Sequence, residues 1–118
     1  MYPGVDIIEI ERLVRAFKRQ PKLYERLFTT REQENLLGKG IQSYAARFAG
    51  KEAVLKTLGT GLRGLSWHDI EIVSDISGEP LVYLSPRALE LVKARGGFQV
   101  RISLSHNRTQ AMAFAILS

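Results

Sequence analysis

Four charged residues, Arg47, Lys51, Glu52 and Lys56, fall within the stretch ARFAGKEAVLKTLGTG at 46–61. Successive residues of a helix are rotated by about 100°. With Phe48 as the reference, Val54, Leu55 and Leu58 share one arc beside it, and Lys51 projects inside that arc with Arg47 near its edge. Glu52 stands just across from Phe48, and Lys56 follows one turn later. Glu52 and Lys56 alone would make an ordinary i,i+4 surface pair. Charges set among apolar side chains are different, because a partly desolvated charge requires a partner. That partner could be a metal ion or an anionic ligand, and the helix by itself does not say which.

Three further features bear on the chemistry. Gly59-Thr60-Gly61 directly follows the helix, and glycines there either form a plain helix stop or let backbone amides approach a ligand. It is not a phosphate loop of the Walker type, because Ala45 stands where the first glycine belongs and Glu52 replaces the Ser or Thr. Asp6, at the end of an extended piece, reads either as an N-cap or as a second carboxylate. Two carboxylates from different elements, completed by waters and substrate phosphate, suit Mg²⁺. His68 and His106 are isolated and cysteine is absent, so a zinc site is not expected. A Ser105–His106 nucleophile is equally unattractive, since adjacent strand residues point to opposite faces.

These residues must be held by a small framework. The 118 residues suffice for one domain, 1–118, with a core but little room for a deep private pocket. A large substrate would lie in a groove or between subunits. No run of apolar residues approaches the roughly 18 needed for a membrane span, and the N-terminal residues lack the features of a signal peptide. The expectation is a soluble, cytoplasmic domain.

Apolar residues at 8, 10, 13, 14 and 17 predict a helix within IIEIERLVRAFKRQ, preceded by a short strand shortened further by Pro3. A short helical turn is expected through Leu27, and Thr30 with Gln33 resembles a capping box opening the next helix. IQSYAARFAGKEAVLKTL is the longest helical stretch, closed by Gly59. The period then changes to two in DIEIVS and PLVYL. Ser85 and Pro86 start another helix, closed by Gly96 and Gly97. FQVRISLSH and QAMAFAIL form a final hairpin across NRT. Helices gather early and strands late, which predicts an α+β fold with an antiparallel sheet and a long central helix.

The net charge is +5, and residues 12–31 hold seven basic residues against Glu25 alone. Arg12, Arg15 and Arg19 share one helix face. Such a face is either solvated or a docking surface for an acidic partner. A basic, non-enzymatic module binding nucleic acid is the rival explanation. Against it, Phe17, Tyr24 and Phe28 do not interleave with the basic face as stacking platforms would, and no zinc finger or RRM signature is present.

GVDIIEIERL, ARFAGKEAVLKTLGTG and ISLSH, in this order and spacing, closely resemble the holo-[acyl-carrier-protein] synthase family of small bacterial phosphopantetheinyl transferases. The resemblance implies an α+β homotrimer with a site in each cleft between subunits. It implies transfer of 4′-phosphopantetheine from coenzyme A to a serine of apo acyl carrier protein, with Mg²⁺, in support of fatty acid biosynthesis. By the same resemblance Asp6 and Glu52 hold the metal, and Lys56 meets the transferring phosphate. Arg47, Phe48, Lys51 and Gly59-Thr60-Gly61 line the coenzyme A groove. Ser105 and His106 come from the neighbouring subunit, while Arg12, with Arg15 and Arg19 extending the surface, meets the carrier protein. The intact Asp6, Glu52 and Lys56 weigh against a chain that keeps the fold only as a structural subunit.

Overall fold

The computed structural model describes residues 1–118. Strand β1 (Tyr2–Glu9) leads into helix α1 (Ile10–Arg19), followed by α2 (Leu23–Leu27), α3 (Thr30–Leu36) and α4 (Ile41–Leu58). A 3-10 turn at Trp67–Asp69 precedes β2 (Ile70–Ser74) and β3 (Pro80–Leu84), then α5 (Pro86–Ala94), β4 (Val100–His106) and β5 (Gln110–Leu117). The strands form two antiparallel sheets, one of order β1-β5-β4 and the other the β2-β3 hairpin.

The expected α+β architecture is thus present, with α4 central. Ala49, Ala53, Val54, Leu55 and Leu58 of α4 pack with Ile70 and Ile72 of β2 and with Ala113, Ala115 and Leu117 of β5. The alanines of β5 alternate with exposed residues and let the helix sit close to the sheet. Gly50 belongs to the same close approach: a Cβ there would press on Ile72 and Leu104. Its cost of about 1 kcal/mol in helix propensity is therefore tied to packing.

Two local expectations are corrected. β1 is neither short nor over by Ile7; it pairs from Tyr2↔Leu117 to Glu9↔Gln110, so Ile8 is a strand residue and α1 begins at Ile10. Pro3 is tolerated because β1 lies at a sheet edge. The capping box of α3 also shifts by one residue. Thr29, not Thr30, is the N-cap, accepting from Glu32 N at 3.1 Å while Glu32 Oε1 accepts from Thr29 N at 2.9 Å. The register with glutamate at the third position wins because Glu32 is fully buried and is required further inside the molecule.

Candidate active site

Gly4 sets the distance between β1 and α4. A Cβ at Gly4 would collide with the Ala53 carbonyl, so only glycine lets the strand lie this close to the helix. Two residues on and on the same face, Asp6 is carried to α4. Its carboxylate is largely enclosed and accepts from Lys56 Nζ at 3.3 Å, while the same ammonium donates to Val5 O at 2.7 Å. Asp6 is therefore not an N-cap; it lies inside a strand, opposite Ala113.

Glu52 completes the group. Its carboxyl is held above the usual carboxylate range, first by burial and then by the neighbouring Asp6, against the opposing pull of Lys56. Asp6, Glu52 and Lys56 thus converge from one strand and one helix. No third acidic or imidazole ligand joins them. A pair of largely enclosed carboxylates at the edge of a cleft suits a hard divalent cation that completes its shell with water and phosphate oxygen.

Glu52 also stands where two clefts meet. One, of about 710 Å³, runs along α1 and is lined by Asp6, Ile8, Arg12, Arg15, Arg19, Phe48 and Trp67 as well as Glu52. The other, of about 600 Å³, is lined by Glu52, Leu55, Lys56, Gly59, Gly61, Leu62 and Trp67. The three arginines of the exposed α1 face therefore border the same groove as the acidic pair. Gly59 closes α4 in the left-handed conformation at φ 79°, and Gly61 follows at φ 60°. Thr60, half-buried between them, donates its hydroxyl to Gly61 O.

Trp67 lines both clefts and had no place among the expected site residues. Its ring meets Phe48 edge-on, with centroids 5.1 Å apart. The only signal in the sequence was a lone tryptophan inside the Ser66–Asp69 turn. Phe17, Tyr24, Phe28 and Tyr44 pack against one another at 5.5–6.1 Å beneath the basic face, as core rather than as stacking platforms.

Lys51 and Arg47 do not line either cleft. Lys51 is fully buried, paired with Glu32 at 2.5 Å and donating to the carbonyls of Leu27 at 2.6 Å and Trp67 at 3.0 Å. Burial pushes its ammonium pKa down, against the pull of Glu32. Arg47, 4 % exposed, donates to Ile72 O at 2.6 Å and Asn35 Oδ1 at 2.9 Å, and burial lowers its pKa as well. Lys51 thus finds its counter-charge within this chain, in Glu32, whereas Arg47 is held by neutral oxygens and its buried Nε has no hydrogen-bond partner. Ser105 and His106 lie elsewhere too. Both are exposed and line a separate depression with Ile7 and Met112.

The family model described as "4'-phosphopantetheinyl transferase superfamily" matches residues 2–115. Holo-[acyl-carrier-protein] synthase of Alkaliphilus metalliredigens is 44 % identical over 115 residues, covering 96 % of this chain and 94 % of that protein. The enzyme of the same name from Moorella thermoacetica is 47 % identical over 116 residues, covering 97 % and 91 %. Among solved structures, holo-[acyl-carrier-protein] synthase from Neisseria meningitidis superposes with a TM-score of 0.89 at 30 % identity, covering 99 % of this chain and 97 % of that one. The Helicobacter pylori enzyme in complex with coenzyme A gives 0.85 at 31 % identity, with 98 % and 99 % covered. None of these relatives supports the nucleic-acid alternative. With this fold, the acidic pair beside Lys56 and these relatives, the chain belongs to the holo-[acyl-carrier-protein] synthase family within the 4′-phosphopantetheinyl transferase superfamily.

Proposed function

We propose that this chain, acting as one domain over 1–118, transfers 4′-phosphopantetheine from coenzyme A to a serine of apo acyl carrier protein. The single observation that carries this reading is the position of Glu52 at the meeting of two clefts. A two-substrate transfer needs the substrates to approach one reacting atom from different sides. The glycine turn and Lys56 suit an anionic, phosphate-bearing donor, and the arginine-bordered groove suits an acidic protein acceptor.

Asp6 and Glu52 would hold Mg²⁺. When bound, the ion would neutralise diphosphate charge and polarise the phosphoryl oxygens. The chain's own groups do the rest by positioning and electrostatics. Lys56, anchored by Val5 O and Asp6, presents its half-exposed ammonium to the reacting phosphate and the leaving oxygen. The serine oxygen forms the new P–O bond, the bridging oxygen of the diphosphate departs with adenosine 3′,5′-bisphosphate, and the serine proton passes to water held by the carboxylates. Phe48 and Trp67 wall the junction against bulk water.

Ser105 and His106 reach a coenzyme A site only if a second copy of the chain contributes them, so the active form is read as a homotrimer. Val5, Ile7, Met112 and Phe114 support this, since they leave an apolar strip exposed on the outer face of the three-stranded sheet. Light scattering would give three times the 13.3 kDa chain mass if so, and a monomeric active enzyme would refute it. No helix is long and apolar enough to cross a membrane, and both substrates would be met in the cytoplasm. The test of the reaction is product identity. Adenosine 3′,5′-bisphosphate must be released one for one with modified serine, and release without modification of the carrier would mean hydrolysis instead.

A further inference from the structure

Arg95 ends α5 and reaches back to the far end of α4. Its Nη1 donates to Thr57 O at 2.9 Å, and its guanidinium lies 4.1 Å over the ring of Tyr2 at the start of β1. A Cβ at Gly59 would land on that same guanidinium. Positive φ is what requires glycine at 59; the guanidinium, at the end of a flexible side chain, fills the space that the missing Cβ leaves. Arg95 thus touches the three segments that meet behind the Gly59-Thr60-Gly61 turn, yet it does not line the cleft in front of that turn.

The sign of the charge matters here. An 18-residue helix carries partial negative charge on its last carbonyls, which repels anions. Anions are ordinarily bound at the opposite end of a helix. At the C-terminus of α4, Leu55 O accepts from Gly59 N and Thr57 O accepts from Arg95. Lys56, in the same last turn, is engaged by Asp6 and Val5 O. No carboxylate pairs with Arg95, so its full positive charge is left to offset the helix end.

We infer that Arg95 is a positioning residue for coenzyme A: it fixes the Gly59-Thr60-Gly61 turn from behind and reverses the unfavourable potential at the end of α4, so that this turn can take the ligand's phosphates. The inference rests on the function proposed above and deepens it. It separates Arg95 from the groups at Asp6 and Glu52, which act on the reacting phosphate.

Arg95→Gln keeps a donor for Thr57 O and removes the charge, while Arg95→Lys keeps the charge and loses the planar fork. Steady-state kinetics of Arg95→Gln should show the KM for coenzyme A raised about tenfold, with kcat and the KM for the carrier protein within about twofold of wild type. Arg95→Lys should recover to a rise of about threefold. An unchanged KM for coenzyme A, or a joint decline of kcat and both KM values, would overturn the inference. If Arg95→Gln does not fold, Arg95→Lys is read alone: the threefold, coenzyme A-specific rise supports the role and wild-type constants overturn it. Calorimetric binding of coenzyme A separates this inference from the functional one. Wild-type binding without transfer would sink the reaction, whereas equal affinity of wild type and Arg95→Gln would sink the role of Arg95.

Discussion

Lys51 and Glu52 are neighbours in sequence and face opposite fates: the ammonium of Lys51 is enclosed against Glu32, while the carboxyl of Glu52 lines two clefts beside Asp6. One helix therefore carries both an internal tie and a chemical group, one residue apart. Lys51 binds the carbonyls of Leu27 and Trp67, which lie on segments walling the α1 groove. The buried pair holds together the elements between which Glu52 works.

Breaking that tie should cost stability rather than coenzyme A affinity. Lys51→Met leaves Glu32 as an uncompensated buried charge and is expected to destabilise by about 3–5 kcal/mol in urea unfolding. Adding Glu32→Gln removes the stranded charge and keeps an acceptor, so the double variant should be more stable than Lys51→Met alone. If Lys51→Met unfolded like wild type but bound coenzyme A poorly, the lysine would belong to the ligand groove after all.

Asp6 and Glu52 should trade stability for function. Glu52 has a folded pKa above its unfolded value, so it penalises the folded state once ionised. That penalty is absent below the unfolded pKa, grows as pH rises between the unfolded and folded values, and is complete above the folded one. Asp6→Asn removes the second cause of the shift and leaves burial, the first. It should raise the melting temperature at neutral pH by about 2–6 °C, lower the Glu52 carbon titration seen by NMR, and reduce transfer by at least about a hundredfold. A Glu52 titration unmoved by Asp6→Asn would show that the two carboxyls do not sense one another.

The arginine face should govern the protein substrate alone. Arg12→Glu with Arg15→Glu is expected to raise the KM for carrier protein about tenfold or more, with kcat at saturation and the KM for coenzyme A near wild type. Raised salt should produce the same trend in the wild-type enzyme. Equal effects on both KM values would reject a docking role for this face.

Gly4 should tolerate nothing larger. Gly4→Ala would drive a methyl into the Ala53 carbonyl, forcing β1 away from α4 and Asp6 away from Glu52. Loss of about 1–3 kcal/mol is expected, with transfer falling further than stability explains. An active, stable Gly4→Ala enzyme would mean that the strand–helix spacing is not what positions Asp6.

Much of this was legible in the sequence because local chemistry and global fold agree along most of the chain. The glycine stop of α4, the Ser85-Pro86 helix start and the two alternating hairpins all emerged as read. The acidic pair was only partly legible: Glu52 stood out beside Phe48, but Asp6 read equally as an N-cap, and their pairing came from the family resemblance. What misled was the same signal in Lys51 and Arg47. Charge on an apolar arc announces a missing partner but not where the partner lies, and Glu32, Asn35 and the carbonyl of Ile72 are distant in sequence. Trp67 and Arg95 were silent for a related reason, since each matters through contacts between segments far apart in the chain.

The central claim is tested most directly by intact-mass spectrometry of apo acyl carrier protein incubated with this protein, coenzyme A and Mg²⁺, alongside a sample containing EDTA. The expected result is a carrier heavier by one phosphopantetheine, with no gain in the EDTA sample. A carrier of unchanged mass with Mg²⁺ present, from folded protein and a carrier that a family member modifies in parallel, would contradict the proposed reaction; full modification in EDTA would contradict the metal role of Asp6 and Glu52.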